Sequence, residues 1–151
     1  WGKPLPEGHG RGLAVHSSFG SYVAMVAEVS LKDGMPRVHR AVMAVDCGQV
    51  VNPDNVRTQM EGAVIFGMSL AFDAQFTFEH GATVEGNFDG HRPLRMPQAP
   101  ERVEVHLVSS TERPGGVGEP GVPVVAPAIA NALFAVTGKR WRRMPFSGGP
   151  A

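Results

Sequence analysis

The chain has 151 residues, 42% of them apolar, 19% charged and 7% aromatic, a length that suits one domain and is short for two. Fourteen Lys and Arg balance fourteen Asp and Glu, which removes the electrostatic footprint of a nucleic-acid or anionic-membrane binder. No apolar run approaches the roughly 18 residues of a membrane span, no signal peptide is read at the start, and a single cysteine, Cys47, excludes an internal disulfide or a Cys-built zinc or iron–sulfur site while leaving the redox compartment open.

Residues 1–12 are rich in Gly and Pro without periodicity and read as an extended lead-in. From Ser21 the residues Val23, Met25, Ala27, Val29 and Leu31 alternate, and Asp33-Gly34 supplies a tight turn before Arg37 to Val45, so the two runs form a β-hairpin. The far end of its second arm, Ala41 to Val45, is apolar throughout and is expected to be buried on both faces.

Asn52-Pro53 starts a helix: Asn caps it, Pro fits its first position, and Asp54 places negative charge at its positive end. The helix should run to about Phe72, with Val56, Met60, Ala63, Val64, Gly67, Leu70 and Ala71 on one face. Gly62 and Gly67 each cost this helix about 1 kcal/mol relative to Ala. Close packing against a sheet accounts for them, and so does a ligand or another backbone that must come near. Glu61 reads as structural, a partner for Arg57 one turn earlier.

Gln75 to Glu79 and Thr83 to Phe88 bracket His80-Gly81 as a second hairpin, a Pro-rich stretch follows from Arg92 to Pro100, and Val103 to Val108 alternates as a strand. Seven of the ten residues 114–123 are Gly or Pro, so regular structure is excluded there. A helix then opens near Pro127 and ends at Gly138, apolar nearly all round and therefore buried on most sides. Residues 147–151 read as a flexible tail. The order of elements argues an α+β fold with a mostly antiparallel sheet and two main helices, over residues 13–146.

Little local chemistry stands out. The six histidines show no pair at zinc-ligand spacing. Gly115-Gly116-Val117-Gly118 lacks the context of a dinucleotide or Walker loop, and no G-x-S-x-G elbow occurs. Glu119 remains, one carboxylate in a rigid Gly/Pro loop before an apolar helix. It is either a solvated loop residue or, in a dry pocket that raises its pKa, a general base.

The run Gly116-Val117-Gly118-Glu119-Pro120-Gly121, with Pro123, Ala126 to Ala132 and Thr137-Gly138-Lys139-Arg140, resembles the catalytic-glutamate loop and following helix of the molybdenum hydroxylases, the xanthine dehydrogenase and aldehyde oxidase family. Val45-Asp46-Cys47-Gly48, Asn52-Pro53 and Gln59-Met60-Glu61-Gly62-Ala63 with Gly67 resemble that family's D-x-G, N-P and Q-x-E-G-A-x-x-x-G helix. The segments Ser18 to Ala24, Arg92 to Met96 and Pro114 to Gly116 are most similar to the branch that holds the isoquinoline 1-oxidoreductase beta subunit. Together these motifs span Gly12 to Phe146.

The resemblance implies the C-terminal part of the molybdenum-pterin-binding subunit of a bacterial oxidoreductase that hydroxylates aldehydes or N-heteroaromatic compounds. The start at Trp1 then reads as the edge of a longer protein, inactive in this isolated piece. The metal would be held by the dithiolene of its pterin, expected as molybdopterin cytosine dinucleotide, rather than by protein side chains. Glu119 would be the catalytic base, and Gln59 would hydrogen-bond the pterin unless it is simply a polar residue beside the apolar stripe. The backbone of Gly116, Val117 and Gly118 would come close to the cofactor, and the rest of the pocket would come from regions absent here. Electrons would leave through a separate small iron–sulfur subunit, since one cysteine cannot hold such a cluster. The alternative is a noncatalytic module that uses the same fold to dock a partner chain.

Overall fold

The computed structural model describes residues 2–91 and 93–150; Arg92 of the Pro-rich stretch, Trp1 of the lead-in and Ala151 of the tail lie outside them. Strands β1 (His9–Ser18), β2 (Ser21–Lys32) and β3 (Met35–Asp46) are followed by helix α1 (Pro53–Phe72). A two-residue-per-strand hairpin, β4 (Phe78–Glu79) and β5 (Ala82–Thr83), strand β6 (Arg102–Leu107) and helix α2 (Val125–Thr137) complete the order. The main sheet runs β1-β2-β3-β6. Its first two pairings are antiparallel and β3 with β6 is parallel, because the chain returns from the end of β3 through α1. The fold is therefore α+β with a mostly antiparallel sheet, as the element order implied.

Both helices cover one face of the sheet. Val23, Met25, Ala27 and Val29 of β2 and Val38, Ala41, Met43 and Val45 of β3 meet Met60, Val64 and Met68 of α1 and Ile129 and Leu133 of α2 in a single buried cluster. Each Val, Leu, Ile or Met side chain among them contributes about 1.5–3 kcal/mol when fully buried. α1 starts where the sequence places it: the Asn52 side chain accepts a hydrogen bond from the Asn55 N–H at 3.0 Å. α2 opens at Val125 and ends at Gly138, whose left-handed φ of 69° lets its N–H donate to the Phe134 carbonyl.

Five local expectations need correction. Leu70, read as part of the inward stripe of α1, is absent from its buried face. The first strand begins at His9, inside the stretch read as a lead-in. Its inward positions are Gly10 and Gly12, and a Cβ on Gly12 would run into the backbone of Ala128 and Ala132, so glycine is what lets β1 lie directly on α2. The Ala41–Val45 arm is buried on one face only, with Val42 and Ala44 half-exposed on the other. α2 is buried along Val125, Ala128, Ile129, Ala132 and Leu133 but exposes Pro127, Asn131 and Ala135. Arg57 pairs with Asp54 at 3.4 Å instead of Glu61, because Asp54 one turn back is within the same reach.

On the solvent face a charge ladder crosses all four strands of the main sheet. Arg11 meets Glu28 at 2.9 Å, Glu28 meets Arg40 at 3.4 Å, Arg40 reaches Glu104, and Arg102 meets Glu104 at 2.9 Å. The hydrogen bond from Arg40 and the nearby charges of Arg102 and His106 hold the Glu104 carboxyl below the ordinary glutamate range. Its folded value is depressed, so the stability it adds is present above its unfolded value and is lost as pH falls through the folded one. Glu104→Gln should accordingly flatten the low-pH limb of the stability curve, seen as a smaller loss of thermal midpoint below about pH 4.

At the other end of that face Ser30 Oγ lies 2.8 Å from His39 Nε2, and His39 Nδ1 lies 3.1 Å from Glu101. Ser30 sits inside β2, whose backbone is committed to both neighbours, so no oxyanion donor accompanies this line. It pins the entry of β6 to the sheet, together with Arg37, which donates to the carbonyls of Pro97 and Ala99.

Candidate functional site

The Gly/Pro loop between β6 and α2 is tied to two segments that are distant in sequence and meet at one end of the sheet. Gly116 N–H donates to the Phe19 carbonyl at 2.8 Å, and the buried Ser21 hydroxyl donates to the Gly116 carbonyl at 2.7 Å. Gly115 N–H donates to the Cys47 carbonyl and Gln49 N–H to the Glu112 carbonyl, each at 2.9 Å. Gly48, at φ 71°, sits where a Cβ would meet the Arg113 carbonyl. These ties account for the glycines: the loop backbone lies against the β1–β2 turn and the exit of β3. Burial pushes the Cys47 thiol above its ordinary value, so this cysteine acts as a small core residue.

Farther along, Pro120 and Gly121 are buried. A Cβ on Gly121 would stand 2.7 Å from that of Ala63 and 3.1 Å from the Met60 sulfur, so the loop rests on the turn of α1 that follows Gln59. Gly67 is likewise required: its Cβ would meet Val125 of α2 at 2.6 Å. Its neighbour is a helix, where the sequence pointed to a sheet.

The sequence-derived site residues gather here with unequal exposure. Glu119 and Gln59 are exposed, Gly116 and Gly118 are exposed, and Val117 is half-buried against the core. Of the two readings of Glu119, these residues form the solvated one and no dry pocket around it, since its side chain is exposed. Its carbonyl accepts from Val122 N–H at 3.0 Å, fixing the backbone while leaving the side chain free. A Cβ on Gly118 would meet nothing within 4 Å, so the surface beside Glu119 is open to a ligand. Among the described residues no group of three or more His, Cys, Asp and Glu side chains is placed to hold a metal, and no helix is long and apolar enough to cross a membrane. An open cavity of about 650 Å³ lies elsewhere, beside Asp73, Phe88, Asp89 and Arg95.

Sequence reasoning did not single out Ser21 as a support of the site; its alternation with Val23 and Met25, a polar residue at an inward position, was the available sign. Ser21→Ala removes the hydroxyl and leaves the Gly116 carbonyl short of a donor, at a cost of about 1–3 kcal/mol. A lowered unfolding midpoint and faster proteolysis between 112 and 120 in the assembled protein would register it.

A family model described as the molybdopterin cofactor-binding domain matches residues 4–100. The chain belongs to that family. Among curated relatives, this molybdopterin cofactor-binding domain is 37% identical over 136 residues to the beta subunit of the isoquinoline 1-oxidoreductase of Brevundimonas diminuta, covering 89% of this chain and 17% of that protein. It is 36% identical over 152 residues to the membrane-bound aldehyde dehydrogenase [pyrroloquinoline-quinone] of Gluconacetobacter polyoxogenes, covering 96% of this chain and 20% of that protein. It is 35% identical to a subunit of the nicotinate dehydrogenase of Pseudomonas putida over 91% of this chain and 12% of that protein. The chain thus spans a fifth or less of these relatives. The fold matches the aldehyde oxidoreductase of Desulfovibrio gigas, with a TM-score of 0.71 at 23% identity over 83% of this chain and 14% of that one. It also matches quinoline 2-oxidoreductase of Pseudomonas putida 86, with a TM-score of 0.72 at 14% identity over 87% of this chain and 19% of that one. The molybdenum hydroxylase resemblance of the sequence is borne out at the level of the family.

Proposed function

We propose that this domain is the C-terminal part of the molybdenum-pterin-binding subunit of an oxidoreductase that hydroxylates aldehydes or N-heteroaromatic compounds with oxygen drawn from water. The observation that carries this reading is the seat of Gly121 against Met60 and Ala63, which holds the Glu119 loop on the same helical turn as Gln59. A carboxylate and a carboxamide from segments sixty residues apart in sequence, both exposed, would then serve one open edge.

The residues present suit a pterin. Gln59 offers an amide that both donates and accepts, as the mixed edge of a pterin requires. Gly118 leaves room for a ring or phosphate to approach the backbone. When bound, the cofactor supplies the redox chemistry. This chain supplies position and proton transfer: Gln59 orients, the loop backbone from Gly116 to Gly118 lines the cofactor, and a Glu119 carboxylate oxygen takes the proton released as the substrate carbon gains oxygen. Exclusion of water falls to other regions of the subunit, because Glu119 is open on this face. We assign the cofactor as molybdopterin cytosine dinucleotide, and a small iron–sulfur subunit as the electron acceptor.

Gln59→Leu in the assembled enzyme tests the pterin contact. Loss of a neutral hydrogen bond of about 1 kcal/mol lowers cofactor retention roughly fivefold. The readout is fluorescence of the oxidised pterin released from the purified protein, and unchanged retention during dialysis would remove Gln59 from the site.

A further inference from the structure

The outward side of α1 has no reason within this chain to look as it does. Gln59, Gly62, Phe66 and Leu70 recur at i, i+3, i+7 and i+11, and so form one stripe along the helix. A Cβ on Gly62 would meet nothing within 4 Å, in contrast to Gly67, which Val125 explains. Phe66 is 58% exposed and Leu70 is 37% exposed. From Thr58 to Leu70 the helix carries one charge, Glu61, where a solvent-facing helix side ordinarily carries several.

We propose that the stripe Gln59, Gly62, Phe66 and Leu70 is the seat of an apolar helix from another segment of the same molybdopterin-binding subunit, closing over the Gln59 edge of the cofactor site. Gly62 forms a notch between Gln59 and Phe66, which lets a second helix approach closer than the usual 8–10 Å between axes. Apolar, charge-poor composition is the mark of a permanent interface, whereas transient contacts are more polar. The curated relatives also have chain to supply the partner, since this domain matches 12–20% of their length. The stripe starts at Gln59, so a helix seated on it brings protein to the edge of the cofactor that this chain leaves open. The proposal rests on the functional reading above for what the helix covers, though not for the docking itself.

The test uses the assembled enzyme with its full-length large subunit. Hydroxyl-radical footprinting should show Phe66 modified at least tenfold more slowly than in the denatured enzyme; modification at the denatured rate overturns the proposal. A photo-crosslinking phenylalanine analogue at position 66 identifies the occupant. A cross-link to another segment of the large subunit supports the proposal. A cross-link to a smaller subunit, to a second copy, or to nothing overturns it. As a packing control, Gly62→Leu should lower the yield of assembled enzyme severalfold while Gly86→Leu, in open space on the β4–β5 side, leaves it unchanged; equal yields count against the notch. Pterin content is measured on the same unmodified preparation: an enzyme without pterin whose Phe66 is protected refutes the functional reading and leaves the docking intact.

Discussion

Glu119→Gln in the assembled enzyme is expected to lower turnover by about 10²–10⁴-fold, the usual contribution of a positioned general base, with molybdenum and pterin content unchanged. The amide keeps the shape of the side chain and loses its capacity to accept a proton. The loop survives the change because its hold comes from elsewhere: from Gly115 and Gly116 on Cys47 and Phe19, from Ser21, and from Gly121 on α1. None of these ties uses the Glu119 carboxylate, so the substitution separates chemistry from folding cleanly. Steady-state rates alongside metal analysis provide the measurement. Activity within threefold of the parent at full metal content would exclude Glu119 as the base, and loss of metal together with activity would reassign it to cofactor retention.

The largest expected effect on stability comes from a methyl group. In Gly12→Ala the new Cβ meets the Ala128 carbonyl and the Ala132 amide, atoms of helix backbone that no rotamer change can move. Overpacking of a core ordinarily costs about 1–3 kcal/mol, more where nothing can yield, and here β1 must lift off α2. A cost near 3 kcal/mol is a large share of the roughly 5–15 kcal/mol that holds a domain together, so the unfolding midpoint should fall by several degrees. Gly86→Ala, with no atom within 4 Å and no positive φ, should leave the midpoint within about a degree. Thermal denaturation of the two variants of the assembled protein makes the comparison.

Gly12 also explains why β1 was the hardest element to read. Strands are recognised by apolar side chains at every second position, and the inward positions of β1 are Gly10 and Gly12, so the pattern is carried by missing side chains. The β2–β3 hairpin was legible because Val23, Met25, Ala27 and Val29 bury full side chains and Asp33-Gly34 marks the turn. α1 was legible from its cap, since Asn52, Pro53 and Asp54 act within one turn and need no tertiary partner. The parallel pairing of β3 with β6 depends on where α1 lets the chain return, which local spacing does not encode. At the site, Glu119 and Gln59 stood out through motif resemblance, and the bond from Ser21 to Gly116, ninety-five positions apart, had no local signature. The choice between a solvated and a buried Glu119 was open for a related reason: an apolar helix follows it, yet α2 spends that apolar surface on β1, β2 and α1.

The ties of the Gly115–Gly116 loop have a bearing on how the protein opens. An irregular, glycine-rich surface loop would ordinarily fluctuate freely, opening at almost no free-energy cost. Here its backbone is bound to the β1–β2 turn and to Cys47 and Gln49 just past the end of β3, so the loop cannot leave without breaking bonds at that end of the sheet. Its opening therefore costs more than that of an untied loop, and the backbone beside Glu119 is held while those bonds last. Any opening of this face must therefore come from what packs against it, while the backbone beside Glu119 stays in place.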